Sequence, residues 1–185
     1  MKVNYVHPRT IKTYADTLRT EYQDGLVTDV IGIATQKLGL RINFFELEKL
    51  YGKGTLGMIL PDEKLILCEK FQEPKGKNKE NLERILRFTV AHEIGHYVMH
   101  REYMVNCESP LFHQKLPAKE RQNLEIQANG LAAELLMPEE LFSEEYYNFT
   151  IRLRNDDQAE LKRHLASLFC VSEKATSNRI KGLKL

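Results

Sequence analysis

Cysteine is scarce in this chain of 185 residues, and the three that occur, Cys68, Cys107 and Cys170, are far apart and never arranged as C-x-x-C. An odd, scattered set excludes a disulfide framework and a thiolate zinc ribbon, and leaves the thiols as packing residues. Long apolar runs are also missing. No stretch approaches the roughly 18 to 20 residues that a membrane-spanning helix needs. The first residues, Met1 to Pro8, lack the basic patch, apolar run and small-residue cleavage site of a secretory signal. The expectation is a cytoplasmic protein with no membrane partner. Net charge is almost absent too, at +1, which excludes a globally basic nucleic-acid binder. That balance hides an asymmetry. Residues 120–160 are predominantly acidic, whereas 161–185 carry Lys162, Arg163, Lys174, Arg179, Lys181 and Lys184 against one acid, Glu173.

What is present is an ordinary globular composition, 42% hydrophobic and 29% charged. It suffices for one buried core and is short for two enzyme-sized domains. Helical spacing of Ile11, Tyr14, Ala15, Leu18 and Tyr22 predicts a first helix over 9–23, broken by Asp24-Gly25. Thr28 or Asp29 can cap a second, carrying Val30, Ile33, Ala34 and Leu38 and stopping at Gly39. Three segments rich in strand formers follow, at 41–47, 55–60 and 64–68, the last two joined by the tight turn Pro61-Asp62-Glu63. Beyond a hydrophilic loop at 72–79, the longest helix runs from Asn78 or Lys79 to His100 or Arg101. Another spans Ala118 to Leu136 and is ended by Met137-Pro138, and a short acidic one covers 139–147. The tail from Asp156 to Leu185 reads as two helices, the second capped by Ser172. We expect one domain over 1–185, with a helix-turn-helix-like pair at 156–185 within it or appended to it.

Chemistry concentrates in the longest helix, where His92-Glu93-Ile94-Gly95-His96 forms H-E-x-x-H. Histidines at i and i+4 lie one turn apart on one face, so their ring nitrogens can converge on a cation at about 2.0–2.1 Å each. Glu93 is rotated roughly 100 degrees from His92. It flanks the cation and is free to take a proton from a water there. The chance expectation for this motif in a chain with six histidines is roughly two in a hundred. The stripe Leu82, Ile85, Thr89, His92 and His96 sets the pair against the core, where two unpaired imidazoles would be costly without a ligand. Gly95 leaves room for another backbone to approach that face.

A catalytic zinc wants three protein ligands and one open position. His100 lies about 12 Å from His92 along an unbroken helix, so it cannot share the ion. Met99 stands where the H-E-x-x-H-x-x-G-x-x-H class has the glycine that turns the chain, and that class is rejected. Downstream candidates are Glu102, Glu108, His113, Glu120 and Glu125. Glu125 fits best, because it shares a helical face with Ala128, Asn129 and Ala132, and the small alanines permit close packing on the histidine helix. Asn129, one turn on, can hydrogen-bond to a metal ligand.

Taken together, Leu86 to His96, Glu125, Ala128-Asn129 and Ala132-Ala133-Glu134-Leu135-Leu136-Met137-Pro138 resemble the ImmA/IrrE family of zinc metallo-endopeptidases. The resemblance covers about residues 25–140 and continues toward the C-terminus. It implies that His92, His96 and Glu125 bind one Zn2+ and that Glu93 is catalytic. It also implies a mostly helical, zincin-like α+β fold with a small three-stranded antiparallel sheet beside the H-E-x-x-H helix. Two departures stand out: Gln127 where the family often has a second acid, which narrows the third ligand toward Glu125, and Leu131 where it often has an aromatic. About 25 residues of unmatched N-terminus cannot supply the helix-turn-helix domain that some members carry, so a stand-alone form is expected.

The function this implies is zinc-dependent cleavage of a helix-turn-helix transcriptional repressor encoded nearby, in a mobile element, phage or stress operon. An auxiliary electrophile could be Tyr97, Tyr103, His113, Tyr146 or His164, and the sequence does not choose. The competing class is a non-proteolytic regulatory or toxin-antitoxin component, holding the metal structurally and contacting a partner protein or DNA. The basic second helix of the tail, with Lys174, Asn178, Arg179 and Lys181, resembles the recognition element of a helix-turn-helix, but helices closing the domain with a solvated basic face are the favoured reading of it.

Overall fold

The computed structural model describes residues 3–71, 79–104, 116–152 and 157–185. The fold is α+β and mostly helical. Helix α1 (Pro8–Arg19) opens on Pro8 and a His7 cap, which accepts the Arg9 amide, and buries Ile11, Ala15 and Leu18. A two-residue ladder, β1 (Gln23–Asp24) with β2 (Val27–Thr28), turns the chain into α2 (Val30–Gly32). Asp29 caps α2 through the Gly32 amide at 2.8 Å, and the helix continues as a π-turn over Ile33–Lys37.

Strand β3 (Arg41–Phe45), a short helix α3 (Leu47–Tyr51), β4 (Gly57–Leu60) and β5 (Leu65–Glu69) follow. The sheet has the order β3-β5-β4. Strands β4 and β5 form the hairpin that Pro61-Asp62-Glu63 predicts, with Leu60 opposite Leu65 and Gly57 opposite Cys68. Strand β3, however, pairs parallel to β5, from Arg41 with Leu65 to Phe45 with Glu69. The sheet is therefore mixed, not antiparallel. The antiparallel expectation assumes that consecutive strands pair, but α3 carries the chain past the position next to β3, and β5 fills it.

Helix α4 (Lys79–Met104) packs on β4 and β5 and, most extensively, on α5 (Ala118–Leu136). Its buried positions Thr89, Glu93, His96 and His100 recur at helical spacing. The core gathers Val90 and Ile94 of α4, Leu124, Leu131 and Leu135 of α5, Ile33 of the π-turn and Ile66 of β5. Helix α6 extends over Glu139–Arg152, longer than its acidic first turns suggest. Beyond it, α7 (Gln158–Leu168) and α8 (Glu173–Leu183) are joined by a turn at Cys170. Phe142 and Phe169 pack at 5.3 Å between ring centres. The Arg179 side chain is buried, donates to the Met137 carbonyl at 2.9 Å and pairs with Glu134 at 2.8 Å. This residue ties α8 to the end of α5 and is withdrawn from the basic face that a DNA contact would use.

Two glycines set the approach of neighbouring elements to α4. A Cβ on Gly95 would lie 2.9 Å from Cα of Ala128 and 3.0 Å from its carbonyl oxygen. One on Gly57 would meet Cγ2 of Thr89 at 2.5 Å and Oε1 of Glu93 at 2.7 Å. Helices α4 and α5 thus touch backbone to backbone, and β4 lies against Glu93.

Gly95→Ala is expected to destabilise the protein. Overpacking against backbone costs about 1–3 kcal/mol, and no rotamer relieves it, which outweighs the gain of about 1 kcal/mol in helix propensity. Chemical denaturation measures the difference, and an unchanged or higher stability would contradict the close approach.

Candidate metal centre

Helix α4 presents His92 and His96 one turn apart, with their Nε2 atoms 3.0 Å from each other. From α5, Glu125 sets Oε2 3.3 Å from Nε2 of His92 and Oε1 3.5 Å from Nε2 of His96. All three donors lie within 4.8 Å of one another. Asn129, one turn beyond Glu125, holds Oδ1 3.1 Å from Nδ1 of His92. An amide oxygen only accepts, so His92 carries a proton on Nδ1; in the neutral ring the Nε2 lone pair faces Glu125, and in the charged ring Nε2 donates to it. Phe88 stacks on the His92 ring at 6.4 Å. Two imidazole nitrogens and a carboxylate crowded together are a donor set suited to a divalent cation.

The electrostatics separate the two carboxylates. Glu93 is buried, and burial pushes its carboxyl up to about 7. The His92 charge pulls it down, Glu125 adds to the rise, and a backbone hydrogen bond from Ile59 of β4 opposes it. For Glu125, burial also acts upward, but hydrogen bonds from His92 and His96 outweigh it and leave the carboxyl well below its ordinary value. The same bond raises His92 against the lowering effect of its own burial. One carboxylate is thus held ionised against the histidines, and the other is left near neutrality beside them.

Of the other residues singled out as third ligand, Glu102 is exposed and Glu120 accepts the Val3 amide at 2.8 Å. Glu108 and His113 lie outside the described residues. Among the candidate electrophiles, Tyr103 accepts the Asn4 amide, Tyr97 stacks under Arg101, Tyr146 packs edge-on to Tyr147 and His164 stacks on Phe149. The spacing argument excluded His100 as a ligand and gave neither it nor Gln127 a role in the site. His100 is buried with Nδ1 3.1 Å from Nδ1 of His96, and its Nε2 lies 3.2 Å from Oε1 of Gln127.

The sequence of residues 78–181 matches the family described as Peptidase_M78, IrrE N-terminal-like domain. That span is more than half of the chain. The chain belongs to this family. No curated protein matches it. Membership in Peptidase_M78, a metallopeptidase family, bears on α4 through most of α8 and takes in His92, Glu93, His96, Glu125 and Asn129. The match begins at residue 78, later than the resemblance read from the sequence, which starts near residue 25. Among the described residues, no helix is long and apolar enough to cross a membrane.

Two outcomes follow from these charges. A cation must displace the proton that His92 shares with Glu125, so zinc uptake releases protons and affinity rises with pH until His92 is neutral. Calorimetry in buffers of different ionisation enthalpy measures this, and a buffer-independent heat would contradict it. In the metal-free protein, Glu93 stays protonated up to about pH 7 when folded, but ionises above its ordinary 4.5 when unfolded. Folding takes up a proton between those values, so this group's contribution to stability falls as pH rises through the window. Glu93→Gln should therefore stabilise the metal-free protein above pH 7, by on the order of 1–3 kcal/mol. Equal stability of the two chains at pH 8 would contradict the buried carboxyl.

Proposed function

We propose that this protein is a zinc-dependent endopeptidase in which His92, His96 and Glu125 hold a single ion and Glu93 carries the proton. The observation that supports the reading is the convergence of three donors on one point beside a buried carboxyl whose proton affinity lies near neutrality. Bound there, zinc supplies Lewis acidity, which acidifies a water and polarises the scissile carbonyl. Asn129 orients His92 by accepting its Nδ1 proton. Glu93 takes the proton of the attacking water as the oxygen bonds to the carbonyl carbon. It then returns that proton to the amide nitrogen as the C–N bond breaks. A carboxyl near pH 7 can both accept and release a proton at that pH, which a solvated glutamate does poorly.

The substrate, on the family resemblance, is a helix-turn-helix transcriptional repressor. Specificity would come from protein–protein recognition, since a peptidase of this kind needs no DNA contact and Arg179 is engaged in packing α8.

Incubation of the zinc-loaded protein with a co-encoded repressor, followed by mass spectrometry of the products, tests the reading. A chelator should abolish cleavage. Glu93→Gln should keep its zinc while losing at least about a hundredfold in rate, and Glu125→Ala should lose most of the zinc. Undiminished cleavage by Glu93→Gln, or full zinc occupancy in Glu125→Ala, would overturn the assignment of that residue.

A further inference from the structure

His96 is 2% and His100 1% exposed, so bulk water does not choose which nitrogen of either ring carries the proton. Their neighbours do. A chain of contacts runs from His96 away from the metal centre. Its Nδ1 lies 3.1 Å from Nδ1 of His100, Nε2 of His100 lies 3.2 Å from Oε1 of Gln127, and Nε2 of Gln127 lies 3.2 Å from the carbonyl oxygen of Asn4. The direction of every bond follows from the far end. The Asn4 carbonyl can only accept, so Gln127 gives it an N–H and turns its oxygen to His100. That oxygen can only accept, so His100 carries its proton on Nε2 and leaves Nδ1 as a lone pair. His96 must then donate from Nδ1, so in the neutral ring the lone pair sits on Nε2, the nitrogen that faces His92 and Glu125.

We propose that His100 and Gln127, anchored on the Asn4 carbonyl, are positioning residues that fix the His96 ring as the tautomer able to hold a cation. A neutral imidazole protonated on Nε2 offers no lone pair to the site, so the relay removes the unproductive state before any ion arrives. His92 receives the same instruction from one amide, Asn129, at a more accessible place. His96 receives it through two buried side chains. The terminus of the relay is itself held, because the Asn4 amide donates to Tyr103 at 3.0 Å and the Val3 amide to Glu120 at 2.8 Å. Through Gln127, the N-terminal segment and α5 jointly specify a proton position on α4.

This inference rests on the metal-binding reading, and the experiment separates the two. In the zinc-loaded, 15N-labelled full chain, long-range 1H–15N NMR should find the His100 proton on Nε2. It should also show a coupling between Nδ1 of His96 and Nδ1 of His100 through their shared hydrogen. A His100 proton on Nδ1 would overturn the relay without any variant being made. Zinc titration by chelator competition supplies the second readout. Gln127→Leu, which removes the oxygen facing Nε2 of His100, should weaken zinc binding about 10–100-fold. Gln127→Glu, which keeps an accepting oxygen toward His100 but gives up the N–H that anchors it on the Asn4 carbonyl, should lose less affinity than the leucine variant. A larger loss in the leucine variant than in the glutamate variant supports the relay, and equal losses overturn it. Parent-like affinity in a folded Gln127→Leu chain sinks it while leaving the metal centre standing, and a parent chain that binds no zinc sinks both.

Discussion

Helices α4 and α5 meet at Gly95 and Ala128, with no side chain between the two backbones. Every distance that crosses from α5 to α4 in the candidate centre depends on that contact. A carboxylate reaches only a few ångströms from its own helix, so Glu125 can touch both His92 and His96 only if its helix axis lies unusually near theirs. The same closeness lets Asn129 reach His92 and Gln127 reach His100. Three residues of α5, at alternate positions, thus address three histidines of α4. The glycine that permits this sits inside the H-E-x-x-H motif, where the metal chemistry itself does not require one.

On the opposite side, Gly57 plays a comparable part by letting β4 lie against Thr89 and Glu93. Glu93 is consequently enclosed between a helix and a sheet, which raises its proton affinity, while Glu125 stays ionised against the imidazoles. Two carboxylates only a short way apart are held in different protonation states by their surroundings, one suited to binding a cation and the other to moving a proton. Neither role needs an unusual residue; both need the packing.

Much of this was legible in the sequence because helical periodicity is a short-range rule. The spacing of His92 and His96, and of Glu125 and Asn129, fixes which of them share a face, and the structure brings all four together. The tight alanine face of α5 and the missing side chain at residue 95 announced a close helix pair. The order of the sheet was not legible. Whether β3 pairs with β4 or β5 depends on where α3 deposits the chain, which strand composition does not encode. His100 could be excluded as a ligand by distance, yet its contacts depend on Gln127 of the next helix and, through it, on Asn4 near the N-terminus. Composition counts Arg179 among the tail's basic residues, but the pairing with Glu134 that buries it is revealed only by the packing of α8.

The claim on which everything else rests is the identity of the donors around the ion. X-ray absorption spectroscopy of the zinc-loaded protein reads those donors directly. Two imidazole nitrogens and one carboxylate oxygen are expected, at about 2.0–2.2 Å, together with a further oxygen from solvent. In Glu125→Ala the carboxylate contribution should disappear along with most of the zinc. A sulfur scatterer at about 2.3 Å, or a shell containing only one imidazole, would contradict the centre formed by His92, His96 and Glu125.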